Sequence, residues 1–278
     1  MTLTLAATPL GNPGDASPRL KAAIESAEVI AAEDSRRFHR LASDLGVTFT
    51  AKIISFFDGN ETARTQEVLA LLQAGKRVLV VSDAGMPTIS DPGFRLTRDA
   101  IALNIPIVVI PGPSAPTMAL ALSGLATDRF TFEGFLSRSA GARQSHLESL
   151  RFEERTMIFF EAPHRITECL SDAVETFGDD RRAAICREMT KTYEETVRGT
   201  LSELLAWSTS KEILGEITMV IAGVPVGSAA KTAEEMVTRV REFESAGMDR
   251  KDAIATVAKE FDLPKKVVYA AVVDASKS

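Results

Sequence analysis

Short apolar runs recur along the chain, and between them apolar positions repeat at helical spacing. Thr2 to Ala7, Val29 to Ala32, Arg77 to Val81 and Ile105 to Ile110 have strand length and lead into Gly, Pro, Asp or Ser. Ser17-Pro18 opens a helix with Leu20, Ala23, Ile24 and Ala27 on one face. Asn60 heads another, carrying Val68, Leu69, Leu71 and Leu72, which Gly75 stops. Such alternation predicts a parallel sheet covered by helices.

The pattern then restarts. Pro116 to Ser123, rich in Ala and Leu, reads as a hinge helix. Strands follow at Arg129 to Phe135, Arg155 to Phe160, Ala183 to Arg187 and Glu216 to Ala222, with Glu195 to Arg198 extended. Helices fall at Ala142 to Leu150, His164 to Phe177 and Leu201 to Trp207. Val224 to Ser228 reads as a linker. Beyond it, Ala233 to Ala246, a helix capped by Asp249 and one opened by Leu263-Pro264 suggest a helix-turn-helix or a plain helical cap. The expected fold class is α/β: two α/β domains, 1–115 and 116–226, plus a small helical tail, 227–278.

Three strand ends carry unusual loops. Val81 leads into Ser82-Asp83-Ala84-Gly85-Met86-Pro87-Thr88-Ile89-Ser90-Asp91-Pro92-Gly93, Ala7 into Thr8-Pro9-Leu10-Gly11-Asn12, and Ile110 into Pro111-Gly112-Pro113-Ser114. Ligands of open α/β sheets bind at the carboxyl ends of strands. The 82–93 loop has two carboxylates and no Lys or Arg, which suits a neutral or cationic small molecule better than a polyphosphate. A purely structural turn is the alternative. Thr-Pro-Leu-Gly-Asn after the first strand is not the Gly-x-Gly turn of the common dinucleotide-type methyltransferase.

Charge refines this picture. The net charge of −6 argues against a generic nucleic-acid binder, yet Arg138 to His146 contains no acid, and Arg181, Arg182, Arg187 and Lys191 form a second basic group. Cys169 and Cys186 fit no metal or redox spacing and the three histidines are scattered, so no metal site is expected. No apolar run reaches the ~18 residues of a membrane span, and the start lacks a basic signal-peptide region. A cytoplasmic protein is expected.

In order, Thr8-Pro9-Leu10-Gly11-Asn12, Ala32-Glu33-Asp34-Ser35-Arg36, the 82–93 loop, Pro111-Gly112-Pro113-Ser114, Asp128 to Leu136, Glu161-Ala162-Pro163-His164-Arg165, Arg187-Glu188-Met189-Thr190-Lys191 and Val197-Arg198-Gly199-Thr200 resemble the small-subunit (16S) ribosomal RNA methyltransferase I family. The likeness spans roughly residues 2 to 224. It implies the tetrapyrrole-methylase fold with S-adenosyl-L-methionine between two domains, usually in a homodimer. It also implies methylation of a cytidine ribose 2′-hydroxyl in the decoding region of 16S rRNA. An acidic loop is compatible with the cationic sulfonium. A tetrapyrrole or protein methyltransferase of the same fold, or a nucleic-acid-binding regulator built on the tail, are the rival readings.

On this reading Asp83, Ala84, Gly85, Ile89 and Ser90 line the cofactor pocket, and Pro9, Pro111, Gly112 and Ser114 close it. By resemblance alone, Met189 packs on the adenine. Arg36, Arg138, Arg143, Arg165 and Lys191 are expected to hold RNA phosphates, with Lys265 and Lys266 behind them. Two residues are candidates for handling the hydroxyl proton. Glu133 is expected in an apolar setting that raises its pKa; Lys191 could instead stabilise the alkoxide or, with a lowered pKa, act as base. Ordinary pairing of Glu133 with an Arg and of Lys191 with phosphate is the alternative.

Overall fold

A computed structural model describes residues 1–225, 228–261 and 263–276, with backbone only for 228–231. Of the expected linker, Val226 and Gly227 lie outside the described residues. The first domain is a sheet of β1 (Thr2–Ala6), β2 (Val29–Ala32), β3 (Lys52–Ser55), β4 (Arg77–Val81) and β5 (Ile107–Ile110), in the order β3-β2-β4-β1-β5. All pairings are parallel. β2 and β4 are almost uniformly apolar because both sheet faces are covered. Leu3, Leu5, Val78 and Val80 pack under α3 (Glu61–Gln73) and α4 (Phe94–Ala102). Ala6, Ile30, Leu79 and Val81 pack under α1 (Pro18–Ser26) and α2 (Ser35–Asp44).

Two local details differ from expectation. Lys52–Ser55 is a further strand, inconspicuous in sequence because this edge position buries only Ile54 fully. Asn60 stands at the α3 N-cap without bonding the helix. Its side chain accepts from Phe57 N and donates to Ser55 O instead, bracing the turn out of β3.

The second domain holds β6 (Phe130–Phe135), β7 (Thr156–Glu161), β8 (Arg182–Arg187), β9 (Glu195–Thr200) and β10 (Ile217–Ile221), in the order β6-β7-β10-β8-β9. β6 and β7 are parallel, whereas β10 runs antiparallel to both neighbours. One face packs on α6 (Ala140–Ser149), α7 (Ile166–Phe177) and α8 (Leu201–Thr209) through Met157, Phe159, Ile185 and Met219. The other face receives α5 (Ala115–Ser123), whose Ala119 and Leu120 meet Ile158, Cys186 and Val220. The expected hinge helix is therefore a layer of the second domain, held by its apolar face. The tail, α9 (Ser228–Ser245), α10 (Arg250–Glu260) and α11 (Lys265–Ala275), has its own core around Val240, Val257 and Val268, with Phe152 packed against it. Among the described residues no helix is long and apolar enough to cross a membrane.

Candidate active site

Because β1 lies between β4 and β5, the three unusual loops leave the first sheet side by side. Thr8 and Gly85 exchange backbone hydrogen bonds of 2.9 and 3.1 Å, and Ala7 N donates to Ile110 O at 3.1 Å. The loop after β2 interlocks with them: Asp83 N donates to Glu33 Oε2 at 3.1 Å, and Asp34 N to Asp83 Oδ1 at 3.0 Å. Thr88 and Ser90 hold positive φ of 78° and 59° in the β4 loop. Glu188 and Thr190, after β8, hold 51° and 65°. Side-chain-bearing residues with such backbones concentrate where function constrains the chain.

The second domain supplies the facing wall. Antiparallel β10 starts where β6, β7 and β8 end, so four strand termini share one sheet edge. Between the domains lies a cavity of about 380 Å³, within the roughly 300–1,000 Å³ of small-molecule sites. Leu10, Ala84 and Ser90 line one side; Phe135, Phe160, Met189 and Thr218 line the other. The domains touch around it: Asn12 N donates to Thr190 Oγ1 at 3.2 Å, and a Cβ on Gly11 would fall 2.3 Å from Lys191 Cγ.

Five carboxylates, from Glu33, Asp83, Asp91, Glu161 and Glu216, line this cavity against one guanidinium, Arg37. Arg37 pairs with Asp83 at 3.3 Å. Burial pushes Asp91 up to about 7, with the charges of Glu33 and Asp83 adding to it and a Ser82 hydrogen bond opposing. Burial also raises Glu33 and Asp83. Glu161 is enclosed, accepting from Ala162 N at 2.7 Å and Cys169 Sγ at 2.8 Å. The Cys169 thiol, pushed up to about 12 by burial and by Glu161, is a proton donor rather than a nucleophile. Such a wall suits a ligand carrying positive charge.

Of the residues expected at a cofactor pocket, Asp83, Ala84, Ser90 and Met189 line the cavity. Met189 also belongs to the core beneath α5. Pro9, Gly85, Ile89, Pro111, Gly112 and Ser114 are not among the cavity's lining residues. Gly85 and Gly112 are packing positions: an added Cβ would come 3.2 Å from Leu10 Cδ2 at Gly85, and 3.0 Å from Ala7 Cβ at Gly112.

The two proton-handling candidates are placed differently from expectation. Glu133 lies outside the cavity lining. Its strand alternation points it to the face covered by α6, where Thr131 Oγ1 bonds it and His146 Nε2 is 3.1 Å away. Its partner is thus a histidine rather than an arginine. The Lys191 ammonium is clamped between Glu188 and Glu216, each at 2.8 Å. Burial alone would lower its pKa, but these two partners outweigh it and raise it. Lys191 therefore stays protonated and joins the 188–191 turn to the start of β10; the base reading does not hold.

Two phosphate candidates also need correction. The side chain of Arg143 is only 5% exposed, bonding Asp172 at 2.5 Å and facing Glu168 at 3.7 Å. It ties α6 to α7 and cannot reach a surface ligand. Arg165 donates to Leu136 O at 2.9 Å and Ser137 O at 2.8 Å and pairs with Glu161. Arg36 is exposed and forks onto Asp34. Arg138 is exposed, as are Lys265 and Lys266, at the start of α11. Arg143→Met is expected to cost about 3–5 kcal/mol by stranding Asp172, read by denaturant unfolding, with the salt dependence of RNA binding unchanged.

Sequence reasoning did not single out Leu10, Arg37, Phe160 or the Gly215–Thr218 strand start as wall residues. The Glu161-Ala162-Pro163 motif was visible, but its position in the wall was not.

The profile of the Tetrapyrrole (Corrin/Porphyrin) Methylases matches residues 2–205, so the interlocked strand-end loops and the acid-walled cavity between the two α/β domains are those of a two-domain methylase of the tetrapyrrole type. A Thermus thermophilus structure described as uroporphyrin-III C-methyl transferase complexed with S-adenyl homocysteine shares the fold, with a TM-score of 0.57 and 14% identity over 80% of this chain and 97% of that one. Closer in sequence is the Ribosomal RNA small subunit methyltransferase I of Mycobacterium bovis, 49% identical over 92% of this chain and 88% of its own. The protein of that description from Synechocystis is 42% identical over 96% of this chain and 95% of its own. The chain belongs to the Ribosomal RNA small subunit methyltransferase I family and is a methyltransferase.

Proposed function

We propose that this enzyme transfers a methyl group from S-adenosyl-L-methionine to the ribose 2′-hydroxyl of a cytidine in the decoding region of 16S rRNA, working as a homodimer in the cytoplasm. The observation that carries this reading is how far the likeness extends. The tetrapyrrole-methylase profile ends at residue 205, whereas the Synechocystis relative matches 96% of the chain and so reaches into the helical tail. The rRNA relatives share what the tetrapyrrole profile leaves out, which favours RNA over a macrocycle.

The cavity fits the donor. Its carboxylates match a sulfonium cation, and its apolar wall of Leu10, Phe160 and Met189 suits a nucleoside. When bound, S-adenosyl-L-methionine supplies an electrophilic methyl: its C–S bond breaks with the electron pair staying on sulfur while a C–O bond forms. The protein's part is to hold acceptor and donor in line, worth roughly 7–11 kcal/mol of barrier, and to receive the hydroxyl proton. Asp83 is engaged with Arg37 and Asp34 N, and Glu33 with Asp83 N. Asp91 lines the cavity, where burial pushes it up to about 7, and we assign it as proton acceptor.

The dimer reading is supported by edge strand β5, where Val108 and Val109 stand 39% and 45% exposed on opposite faces, near exposed Ile101 and Leu103. Nucleotide mapping by mass spectrometry on 16S rRNA from a deletion strain tests the whole reading. One cytidine should lose its ribose methyl group and regain it on incubation with enzyme. Methyl transfer to a tetrapyrrole but never to small subunits would overturn it.

A further inference from the structure

A second hollow of about 650 Å³ adjoins the cofactor cavity and shares two of its wall residues, Phe135 and Ala162. We propose that this hollow is the acceptor-nucleotide subsite: it takes an amino-pyrimidine nucleotide of single-stranded RNA, base against Phe135 and phosphate on Arg138. The inference rests on the ribose-methylation reading above. A sugar seated beside Phe135 would present its hydroxyl across the shared wall to the methyl donor.

The strand is built to make this platform. A bulge between Phe132 and Gly134, where Gly134 has φ 66°, shifts the register of β6 on β7. Phe132 pairs with Ile158 and Phe135 with Phe160, so both rings lie on one sheet face although three residues apart. Bulges redirect side chains in this way next to functional sites. The Phe135 and Phe160 ring centres are 5.4 Å apart at 59°, and Phe160 meets Phe132 edge-on at 4.9 Å. Phe135 is thus braced from behind, yet 57% of it is exposed. A large ring presented to solvent beside a hollow rimmed by charged side chains is what unstacked bases bind.

The polar rim is complementary to a nucleotide. Arg138 is exposed and has no ion-pair partner among the described residues, leaving it free for a phosphate. Arg165, through Leu136 O and Ser137 O, fixes the turn that sets both Phe135 and Arg138. Glu168 is 70% exposed and only loosely tied to Arg143, at 3.7 Å. A carboxylate there can accept from the exocyclic amine of cytosine, a pairing carboxylates make with that base. His164, also exposed, completes the rim.

The test uses full-length enzyme, small ribosomal subunits from a deletion strain and radiolabelled methyl donor, with cofactor affinity by calorimetry and oligomeric state by sedimentation. Phe135→Ala should lower kcat/KM for subunits at least about tenfold, as loss of one stacked base does, and by clearly more than it weakens cofactor affinity, since the ring also belongs to the cofactor wall. Phe135→Tyr, which keeps the ring, should restore most of the rate. Arg138→Ala, outside the cofactor wall, should raise KM and flatten the dependence of log K on log salt by about one unit. Wild-type transfer in both alanine variants would overturn the subsite. So would a Phe135→Ala defect that tracks cofactor affinity, or one that tracks dissociation of the oligomer, which would make this face a contact between copies. Failure of the wild-type enzyme to methylate any subunit would instead sink the ribose-methylation reading, and the subsite with it.

Discussion

Gly85→Val is expected to weaken binding of S-adenosyl-L-methionine at least about a hundredfold while the protein stays folded. Gly85 holds φ 86° and bonds Thr8 in both directions, so it joins the loops after β1 and β4. A first side-chain carbon would press on Leu10 Cδ2 at 3.2 Å and approach Pro113 O at 3.7 Å. Leu10 lines the cavity, so the push is passed directly to the wall. A β-branched residue at this φ adds strain of about 1–3 kcal/mol. That is short of the roughly 5–15 kcal/mol that holds a typical domain together. Calorimetric titration with the cofactor, with a thermal melt followed by circular dichroism alongside, checks both halves of the statement. Normal titration by a folded variant would mean that these loops do not form the pocket.

The first domain was largely legible because a parallel sheet buried on both faces writes its strands as continuous apolar runs. Val29–Ala32 and Arg77–Val81 are such runs, and the loops that follow them are where ligands of this sheet class sit. Lys52–Ser55 escaped because an edge strand has less to bury. In the second domain periodicity located each strand but not its direction. Antiparallel β10 therefore brought Gly215–Thr218 to the cavity without any local signal.

Charge was the poorest guide, for a physical reason. Arg143 sits in the same acid-poor stretch as exposed Arg138 and Arg165 in the Glu161–Arg165 motif, yet what holds each of them is not announced by its neighbours. Asp172 lies 29 residues beyond Arg143, and Arg165 binds backbone carbonyls that no residue type announces. Glu133 was misjudged through its neighbours. Phe132 and Phe135 flank it in sequence, but the pleat sends Phe132 to the α5 face and Glu133 toward His146, and the bulge at Gly134 brings Phe135 round to the face of Phe132. Adjacency in a strand separates side chains; it does not give them a common environment.

Asp91→Asn is expected to lower single-turnover methyl transfer at pH 8 by at least about a hundredfold, the lower end of what a general base contributes. The carboxylate lines the cavity, and burial holds it up to about 7, with Glu33 and Asp83 adding to the shift. The wild-type rate should therefore climb with pH and level off above about 7, while the Asn variant stays low and flat. Stability should move the opposite way. Because the folded pKa lies above the ordinary value of 3.8, the native state keeps its proton between roughly pH 4 and 7 after the unfolded chain has lost it. Wild-type stability falls across that window as pH rises. The Asn variant, which never carries the buried charge, should then melt higher than wild type at pH 8 and close to it at pH 4. A raised melting temperature with a lost rate is the signature of a charge kept for chemistry at a cost to the fold. Transfer at the wild-type rate by Asp91→Asn would remove Asp91 from the reaction and leave in-line positioning as the whole of the protein's contribution.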